Sequence, residues 1–295
     1  MKKITVHAAA KINLFLDILG RLENGYHSLC MLMQSVSLYD RVTLEQTECG
    51  GLAFACDDDS LPCDAGNLAV KAARAFLDAA GIADASVCIR LEKQIPKAAG
   101  LAGGSADAAA VIAGLDRLYE ANFSTARLCE IGLRVGSDVP FCLTGGTMLA
   151  QNTGEILSPL PPLAPCGILI VKPQQEVSTA AAYNAFDEAE RIHRPNTLQM
   201  LDAAARRDFA RICRYSANVF EQVVEVPQRV EIKRIMRSCN AVLAQMSGSG
   251  PSIFGLFENS QDAKKCAQQL EELELETFFC NPIEKSLAFL PEDVL

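Results

Sequence analysis

The spacing of apolar and polar positions predicts two strands at the start of the chain, over residues 3–6 and 10–18. An alternation with a period of two is typical of a half-buried strand. Lys11 and Asn13 lie two positions apart, so they share one face of the second strand while Ile12 faces the core. The same reasoning predicts strands over residues 39–45, 52–56, 86–91, 147–151 and 167–172.

Segments with the periodicity of a helix lie between these strands. The amphipathic segment from Asn67 to Gly81 has the cap residues typical of a helix start and a helix end. Further helices are predicted over residues 106–118, 128–135, 179–189, 198–201, 206–221, 226–238 and 261–272. Residues 241–258 predict a strand, a glycine turn and a strand, and a short strand begins at residue 277.

A proline-rich stretch divides the chain into two predicted domains. Residues 159–165 contain four prolines and no charge, a composition typical of a linker or a boundary loop. We therefore expect domains over residues 1–160 and 161–295.

The most informative segment is the glycine-rich loop over residues 96–110, which follows a strand and precedes an alanine-rich helix. Its glycines permit positive φ values and a close approach to a ligand. We expect Ser105 to cap the helix and Asp107 to lie in its first turn, where the helix dipole favours an acid. Converging backbone N–H groups at such a helix start predict an anion site, with phosphate as the expected guest. Such turns also occur where the chain merely changes direction.

Composition narrows the class of protein. With 49% hydrophobic and 21% charged residues, the 295-residue chain is typical of a globular protein, and no window predicts a membrane span or an export signal. The net charge of −9 argues against nucleic acid or an anionic membrane as a partner. The twelve cysteines form no Cys-x-x-Cys pair and no assignable metal site, and they suit a reducing cytoplasm.

Several polar residues have both a structural and a functional interpretation. Asn67 fits a helix cap, and Asp138 lies in a predicted turn between Gly136 and Phe141, where an aspartate commonly forms the turn. His27 is one of three histidines, and a lone histidine is more often a hydrogen-bonding residue than a catalyst. The glycine loop itself matches neither the Walker pattern nor the dinucleotide fingerprint.

The loop resembles the phosphate loop of the GHMP small-molecule kinases at Pro96, Gly100, Leu101 and Gly103 to Ser105. Ala102 departs from the usual glycine, and we expect its φ to be negative; Ala106 departs from a common second serine. Other motifs are similar to one GHMP family, the 4-diphosphocytidyl-2-C-methyl-D-erythritol kinases. They are residues 11–14 (KINL), 25–27 (GYH), 137–141 (SDVPF) and 246–251 (MSGSGP).

This resemblance implies an α/β (α+β) fold with two lobes. The N-terminal lobe is the ATP-binding domain, similar to domain 2 of ribosomal protein S5, with a left-handed βαβ crossover around the glycine loop. The C-terminal lobe is ferredoxin-like. The expected partner is a small molecule carrying a cytidine diphosphate group, and the expected assembly is a monomer or a homodimer.

The resemblance also implies phosphoryl transfer from ATP, with Mg²⁺, to the 2-hydroxyl of the methylerythritol skeleton in the non-mevalonate isoprenoid route. Asp138 is the implied base and Lys11 its charge partner, since an ammonium nearby keeps a carboxylate ionised. The implied ATP-binding residues are Asn67, Lys93, Pro96, Lys97, Ala98, Ala99, Gly100, Leu101, Ala102, Gly103, Gly104, Ser105 and Ala106. The implied substrate-binding residues are Asn13, Tyr26, His27, Met33, Thr179 and Tyr183, with Tyr26 and Tyr183 suited to sandwich a pyrimidine.

Two other functions remain open at this point. Another GHMP kinase, such as homoserine kinase, would share the glycine loop but not the GYH and SDVP motifs. A nucleotide-binding protein without catalytic activity would need neither Lys11 nor Asp138.

Overall fold

The computed structural model describes residues 2–48 and 50–291. Their strands form one eight-stranded sheet and one four-stranded sheet. The first half of the chain contains β1 (Lys3–Arg21), β2 (His27–Gln46), β3 (Gly51–Cys56), α1 (Leu68–Ala80), β4 (Ser86–Glu92), α2 (Gly103–Leu118), α3 (Thr125–Leu133), α4 (Val139–Thr144), β5 (Thr147–Asn152) and β6 (Ile156–Pro159). The second half contains β7 (Gly167–Lys172), α5 (Thr179–Glu188), α6 (Thr197–Ala205), α7 (Phe209–Tyr215), β8 (Ala217–Asn218), a 3-10 helix (Val219–Gln222), α8 (Arg229–Ser238), β9 (Leu243–Met246), β10 (Ile253–Phe257), α9 (Ser260–Glu271), β11 (Glu276–Cys280) and β12 (Leu287–Phe289).

The larger sheet is built around the long antiparallel pair β1 and β2. Its main path runs β12-β1-β2-β4-β3, with β5 paired to another stretch of β2. Strands β3 and β4 are parallel neighbours joined through α1, so they form a βαβ unit that leads into the glycine loop. The hand of this crossover stays a prediction.

The two strands predicted near the start are one continuous strand, so that prediction was wrong. Ala8 and Ala9 have low strand propensity, yet they pair with β2 and are buried. A register shift between Ala9 and Lys11 lets the strand continue past the polar residues. Tertiary pairing therefore overrides local preference at this position.

The smaller sheet has the order β11-β7-β10-β9, and all of its neighbouring strands are antiparallel. Together with the intervening helices it follows the βαββαβ pattern of a ferredoxin-like lobe. Strands β8 and β12 come from the second half of the chain but pair with β1 in the larger sheet. The division at residue 160 stays a prediction.

Two local predictions were wrong: the turn around Asp138 and the helix over residues 206–221. The predicted turn around Asp138 continues into the short helix α4, with Pro140 in its first turn, where a missing N–H costs no hydrogen bond. The helix predicted over 206–221 ends at Tyr215, because Ala217 and Asn218 pair with β1. The caps of α1 are confirmed: Asn67 accepts from the Ala69 N–H, and Gly81 has a φ of 68°.

Helix α2 packs closely against β1 and β2 and so positions the loop before it. A Cβ on Gly114 would lie 2.4 Å from a methyl carbon of Leu44, so only glycine permits this approach. The alanines at 106 and 108–110 are buried and keep the helix near the sheet. The start of α2 is therefore held in place by the core.

Candidate active site

A cavity of about 970 Å³ lies between β1, the start of β2, the glycine loop, the turn before α4, and α5. Most of the residues singled out from the sequence line it. They are Lys11, Asn13, Tyr26, His27, Asn67, Lys93, Pro96, Lys97, Ala98, Ala99, Gly100, Ala102, Gly103, Gly104, Ser105, Asp138, Thr179 and Tyr183. The topology thus brings together segments that are far apart in the chain.

Three of the singled-out residues lie in the core instead. Met33, Leu101 and Ala106 are each at most 1% exposed, and none of them lines the cavity. Met33 is on β2 opposite Met148 of β5, where its side chain packs inside the protein. Met31, two positions earlier, lines the cavity and contacts the Asn13 amide through its sulfur at 3.5 Å. The sequence offered no signal that separated these two methionines.

The glycine loop is clamped from two sides. The Lys11 N–H donates to the Leu101 carbonyl at 3.0 Å, and the Ser247 hydroxyl donates to the Gly100 carbonyl at 3.0 Å. Gly100 has a φ of 73°, and a Cβ there would lie 2.2 Å from the Ser247 carbonyl oxygen. The positive φ predicted here is confirmed, and the contact with the 247–250 turn requires glycine. The approach of Gly100 to a ligand stays a prediction.

The start of α2 differs from the sequence prediction. The helix begins at Gly103, so Ala102 rather than Ser105 occupies the N-cap position, and no side chain caps the helix. Ala102 has a φ of 60°, and the prediction of a negative value was wrong. An uncapped helix start with a left-handed residue before it leaves backbone N–H groups without a side-chain acceptor. Because the loop lines the cavity, such a helix start is suited to receive an anion.

Lys11 and Asp138 meet beside this loop. The Lys11 Nζ atom donates to Asn13 Oδ1 at 2.7 Å and to the Gly100 carbonyl at 2.9 Å, and it lies 3.9 Å from Asp138 Oδ2. The Lys11 side chain is buried, whereas Asp138 keeps about a third of its side chain exposed (31%). Asp138 precedes α4 but forms no capping hydrogen bond. Its carboxylate is therefore available to a bound molecule.

A buried ion triad supports the loop from behind. Lys93 Nζ donates to Asp107 Oδ2 at 2.7 Å and also to Asp40. Burial opposes the Lys93 charge, but the two carboxylates outweigh it and raise the pKa of Lys93. Burial raises the pKa of Asp107 well above its usual value, and repulsion from Asp40 adds to this effect against the attraction of Lys93.

The triad changes how two predicted residues are understood. Asp107 is in the fifth position of α2 rather than the expected first turn, and its Oδ1 atom is buried with no hydrogen-bond partner among the described residues. The Lys93 ammonium is already held by two carboxylates where it lines the cavity. Asn67 likewise uses its amide to cap α1 and to donate to the Pro62 carbonyl at 3.0 Å.

The opposite end of the cavity is aromatic. The His27 imidazole stacks on the Tyr183 ring with centroids 4.7 Å apart, so His27 covers one face of that ring. Tyr26 is 66% exposed at the cavity rim, and the sandwich of a pyrimidine between Tyr26 and Tyr183 stays a prediction. Burial, with a smaller contribution from Asp138, raises the pKa of Tyr183 to about 12.

Sequence reasoning missed Asp187, whose Oδ1 lies 2.7 Å from His27 Nε2. It follows Tyr183 by four positions, and residues at that spacing share one helix face. The spacing of four residues between Tyr183 and Asp187 is the feature of the sequence that could have placed Asp187 beside the predicted substrate-binding residues.

Comparison with known proteins agrees with the geometry. The model of the GHMP kinases N terminal domain matches residues 67–146, and that of the GHMP kinases C terminal matches residues 200–274. A 4-diphosphocytidyl-2-C-methyl-D-erythritol kinase from Acetivibrio thermocellus is 41% identical over 285 residues, which cover 96% of this chain and 100% of the relative. The chain belongs to the 4-diphosphocytidyl-2-C-methyl-D-erythritol kinase family.

Other members of this kinase family agree. The relative of that name from Exiguobacterium sibiricum is 43% identical over 282 residues, covering 95% of this chain and 96% of the relative. A crystal structure of 4-(cytidine 5'-diphospho)-2C-methyl-D-erythritol kinase is 34% identical, with a TM-score of 0.79 over 94% of this chain and 98% of its own. Homoserine kinase from Cytophaga hutchinsonii, at 21% identity and a TM-score of 0.78, shares the fold. The resemblance and the two-lobed fold inferred from the sequence are confirmed.

No group of three or more His, Cys, Asp or Glu side chains within residues 2–48 and 50–291 is arranged to hold a metal ion. Over the same residues, no helix is long and apolar enough to cross a membrane.

Proposed function

We propose that this protein transfers the γ-phosphoryl group of ATP to the 2-hydroxyl of 4-diphosphocytidyl-2-C-methyl-D-erythritol, in the non-mevalonate isoprenoid route. The observation that carries this proposal is the Lys11–Asp138 pair, 3.9 Å apart beside the glycine loop. Family membership and the identity of the named relatives support the choice of substrate.

Asp138 acts as the base that accepts the proton of the substrate hydroxyl. A partly exposed carboxylate without a capping hydrogen bond can reach a bound hydroxyl. Lys11 places a positive charge beside this carboxylate and offsets charge that develops on the transferred group. Lys11 is itself oriented by Asn13 and the Gly100 carbonyl, so its position is set before substrate binds. Phosphoryl transfer depends mainly on such positioning and charge stabilisation.

The triphosphate of ATP binds at the glycine loop and the start of α2. The helix dipole and the uncapped N–H groups favour the anionic phosphates there. The loop fits a magnesium ion that enters with the nucleotide, because Ser105 lines the cavity beside it and offers a hydroxyl oxygen. Magnesium is usually held by one or two protein oxygens together with substrate phosphates, and when bound it neutralises phosphate charge.

The aromatic end of the cavity receives the cytidine group. Tyr26, His27 and Tyr183 offer ring surfaces and one imidazole for a base, and Thr179 lies beside Ser249 with hydroxyl oxygens 3.0 Å apart. The cysteines of the described residues are all free thiols, which supports the reducing cytoplasm as the location.

A phosphorylation assay tests this function. The purified protein receives ATP and Mg²⁺ with either the cytidyl-methylerythritol substrate or homoserine, and phosphorylated product is measured by mass spectrometry. We expect turnover of the cytidyl compound alone. Turnover of homoserine without turnover of the cytidyl compound would overturn the proposal in favour of another GHMP kinase activity.

A further inference from the structure

Asp187, which lines the same cavity as His27, holds the His27 imidazole through one of its two ring nitrogens. Its Oδ1 lies 2.7 Å from His27 Nε2, while Tyr183, one helical turn earlier on α5, stacks on the same ring. Phe186 packs edge-on against the imidazole with centroids 6.4 Å apart. Arg21 Nη1 lies 3.9 Å from the second oxygen of Asp187, so the carboxylate has a cationic neighbour. The ring is thus fixed in both plane and rotation.

This arrangement assigns the proton of the neutral imidazole. An ionised carboxylate only accepts hydrogen bonds, so the short contact requires a proton on Nε2. In the neutral ring the other nitrogen, Nδ1, then carries a lone pair and accepts. Within the part of the chain that the structure describes, no hydrogen bond to Nδ1 is formed, and His27 lines the cavity. Nδ1 is left free to accept from a bound molecule.

We propose that Asp187 is a positioning residue that keeps His27 Nδ1 as an acceptor and thereby selects cytosine over uracil. Cytosine presents an amino donor at the position where uracil presents a carbonyl acceptor, as the cytosine and thymine edges show. An acceptor nitrogen pairs with the amino group and faces the uracil oxygen unfavourably. This selection rests on the proposed function, because it requires the cytidine group to bind beside His27.

Three substitutions at position 187 separate this role from a merely structural one. Asp187→Glu keeps an accepting carboxylate, Asp187→Ala leaves either tautomer free, and Asp187→Asn allows an amide N–H to donate to Nε2 and move the proton to Nδ1. The same replacement beside a catalytic histidine is known to impose the wrong tautomer. We therefore expect the order wild type, Glu, Ala and Asn in kcat/KM for the cytidyl substrate.

The measurement compares the cytidyl substrate with the analogue in which uracil replaces cytosine. Loss of one directed hydrogen bond predicts that Asp187→Asn lowers the cytosine preference about tenfold or more, through KM rather than kcat. Glu188→Gln, at the next and exposed position of α5, is the matched control and should keep the wild-type ratio. If Asn behaves best and Ala worst, Asp187 serves only to hold α5, and the proposal is overturned.

A second measurement does not depend on turnover. Nitrogen NMR of ¹⁵N-histidine protein at about pH 8, above the usual imidazole pKa, reports which ring nitrogen of His27 carries the proton. With three histidines in the chain, a His27→Gln spectrum assigns the signal. We expect Nε2–H in the wild type and Nδ1–H in Asp187→Asn, and Nδ1–H in the wild type would refute the assignment. If the wild type turns over neither substrate, the proposed function and the base selection both fail, while this spectrum still decides whether Asp187 sets the proton.

Discussion

The Lys11 ammonium lies 3.9 Å from the Asp138 carboxylate, although one residue is in the middle of a long strand and the other precedes a short helix. The pair is asymmetric, because Lys11 is buried and already hydrogen-bonded while Asp138 is partly exposed. This asymmetry suits a fixed cation beside a carboxylate that exchanges a proton with a bound molecule.

Asp138→Asn and Lys11→Ala test the two halves of this pair. Either substitution should lower kcat by about 10²–10⁴-fold. Without Asp138 the substrate hydroxyl is not deprotonated, and without Lys11 the charge on the transferred phosphoryl group is not offset. ATP affinity, measured by calorimetry, should change by only a few fold. Asp202→Asn, at an exposed ion pair on α6, serves as the control with unchanged kcat. Normal turnover in Asp138→Asn contradicts the assigned base.

Gly100→Ala should destabilise the protein and disturb the loop. Its Cβ would lie 2.2 Å from the Ser247 carbonyl oxygen at a φ of 73°, so backbone strain and overpacking together cost about 2–5 kcal/mol. Urea unfolding gives this value. Gly20→Ala is the matched control, because no atom lies within 4 Å of a Cβ there, and its effect should be small. Equal effects of the two substitutions would show that the contact with Ser247 does not restrict residue 100 to glycine.

Ala102→Gly should leave the fold intact and raise the free energy of unfolding. Ala102 has a φ of 60°, which costs an L-residue about 1–2 kcal/mol. Glycine removes this strain, but its greater conformational entropy in the unfolded chain cancels about half of the gain. The expected gain is up to about 1 kcal/mol by urea unfolding. Ala109→Gly, at a buried position inside α2, should instead destabilise. A loss at both positions would contradict the strain at residue 102.

Asp107→Asn should change the pH dependence of stability. The pKa of Asp107 is raised chiefly by burial, so the folded state retains a proton that the unfolded chain has released. The free energy of unfolding of the wild type therefore falls as pH rises from about 4, the usual Asp value, through the raised pKa. The Asn variant lacks this contribution, so its stability relative to wild type should improve with pH.

Urea unfolding between about pH 4 and pH 8 checks this slope. Asp202→Asn is the contrasting control, since the pKa of Asp202 is lowered by its hydrogen bonds to Arg206 and Arg211. Its wild-type contribution is present above the usual Asp pKa and lost as pH falls, which is the opposite sign. Parallel curves for wild type and Asp107→Asn would rule out the retained proton.

Met33→Ala should affect stability and leave substrate binding unchanged. Met33 is 1% exposed in the core, and removing such a side chain costs about 2–5 kcal/mol. KM for the cytidyl substrate should stay at the wild-type value at a temperature where the variant is folded. Met33→Leu, which conserves volume, should recover most of the stability. A raised KM in both variants would return Met33 to the substrate site.

The local sequence pattern was sufficient to predict an element wherever the segment's own residues decide its conformation. The caps at Asn67 and Gly81, strand β4, and the strand–turn–strand at 241–258 follow from spacing and turn residues alone. The motifs around Lys11, the glycine loop and Asp138 also indicated the family, by their resemblance to the motifs of its members.

Other features depend on contacts between distant segments. Gly100 meets Ser247 of the second lobe, Lys93 is held by Asp40 and Asp107, and Asp187 reaches His27 across the cavity. Met31 and Met33 have similar local surroundings, yet one lines the cavity and the other is in the core. The sequence by itself determined the chemical groups, the local elements and the family. The tertiary structure alone decided their partners, burial and charge state, because these depend on which distant atoms share a small, dry volume.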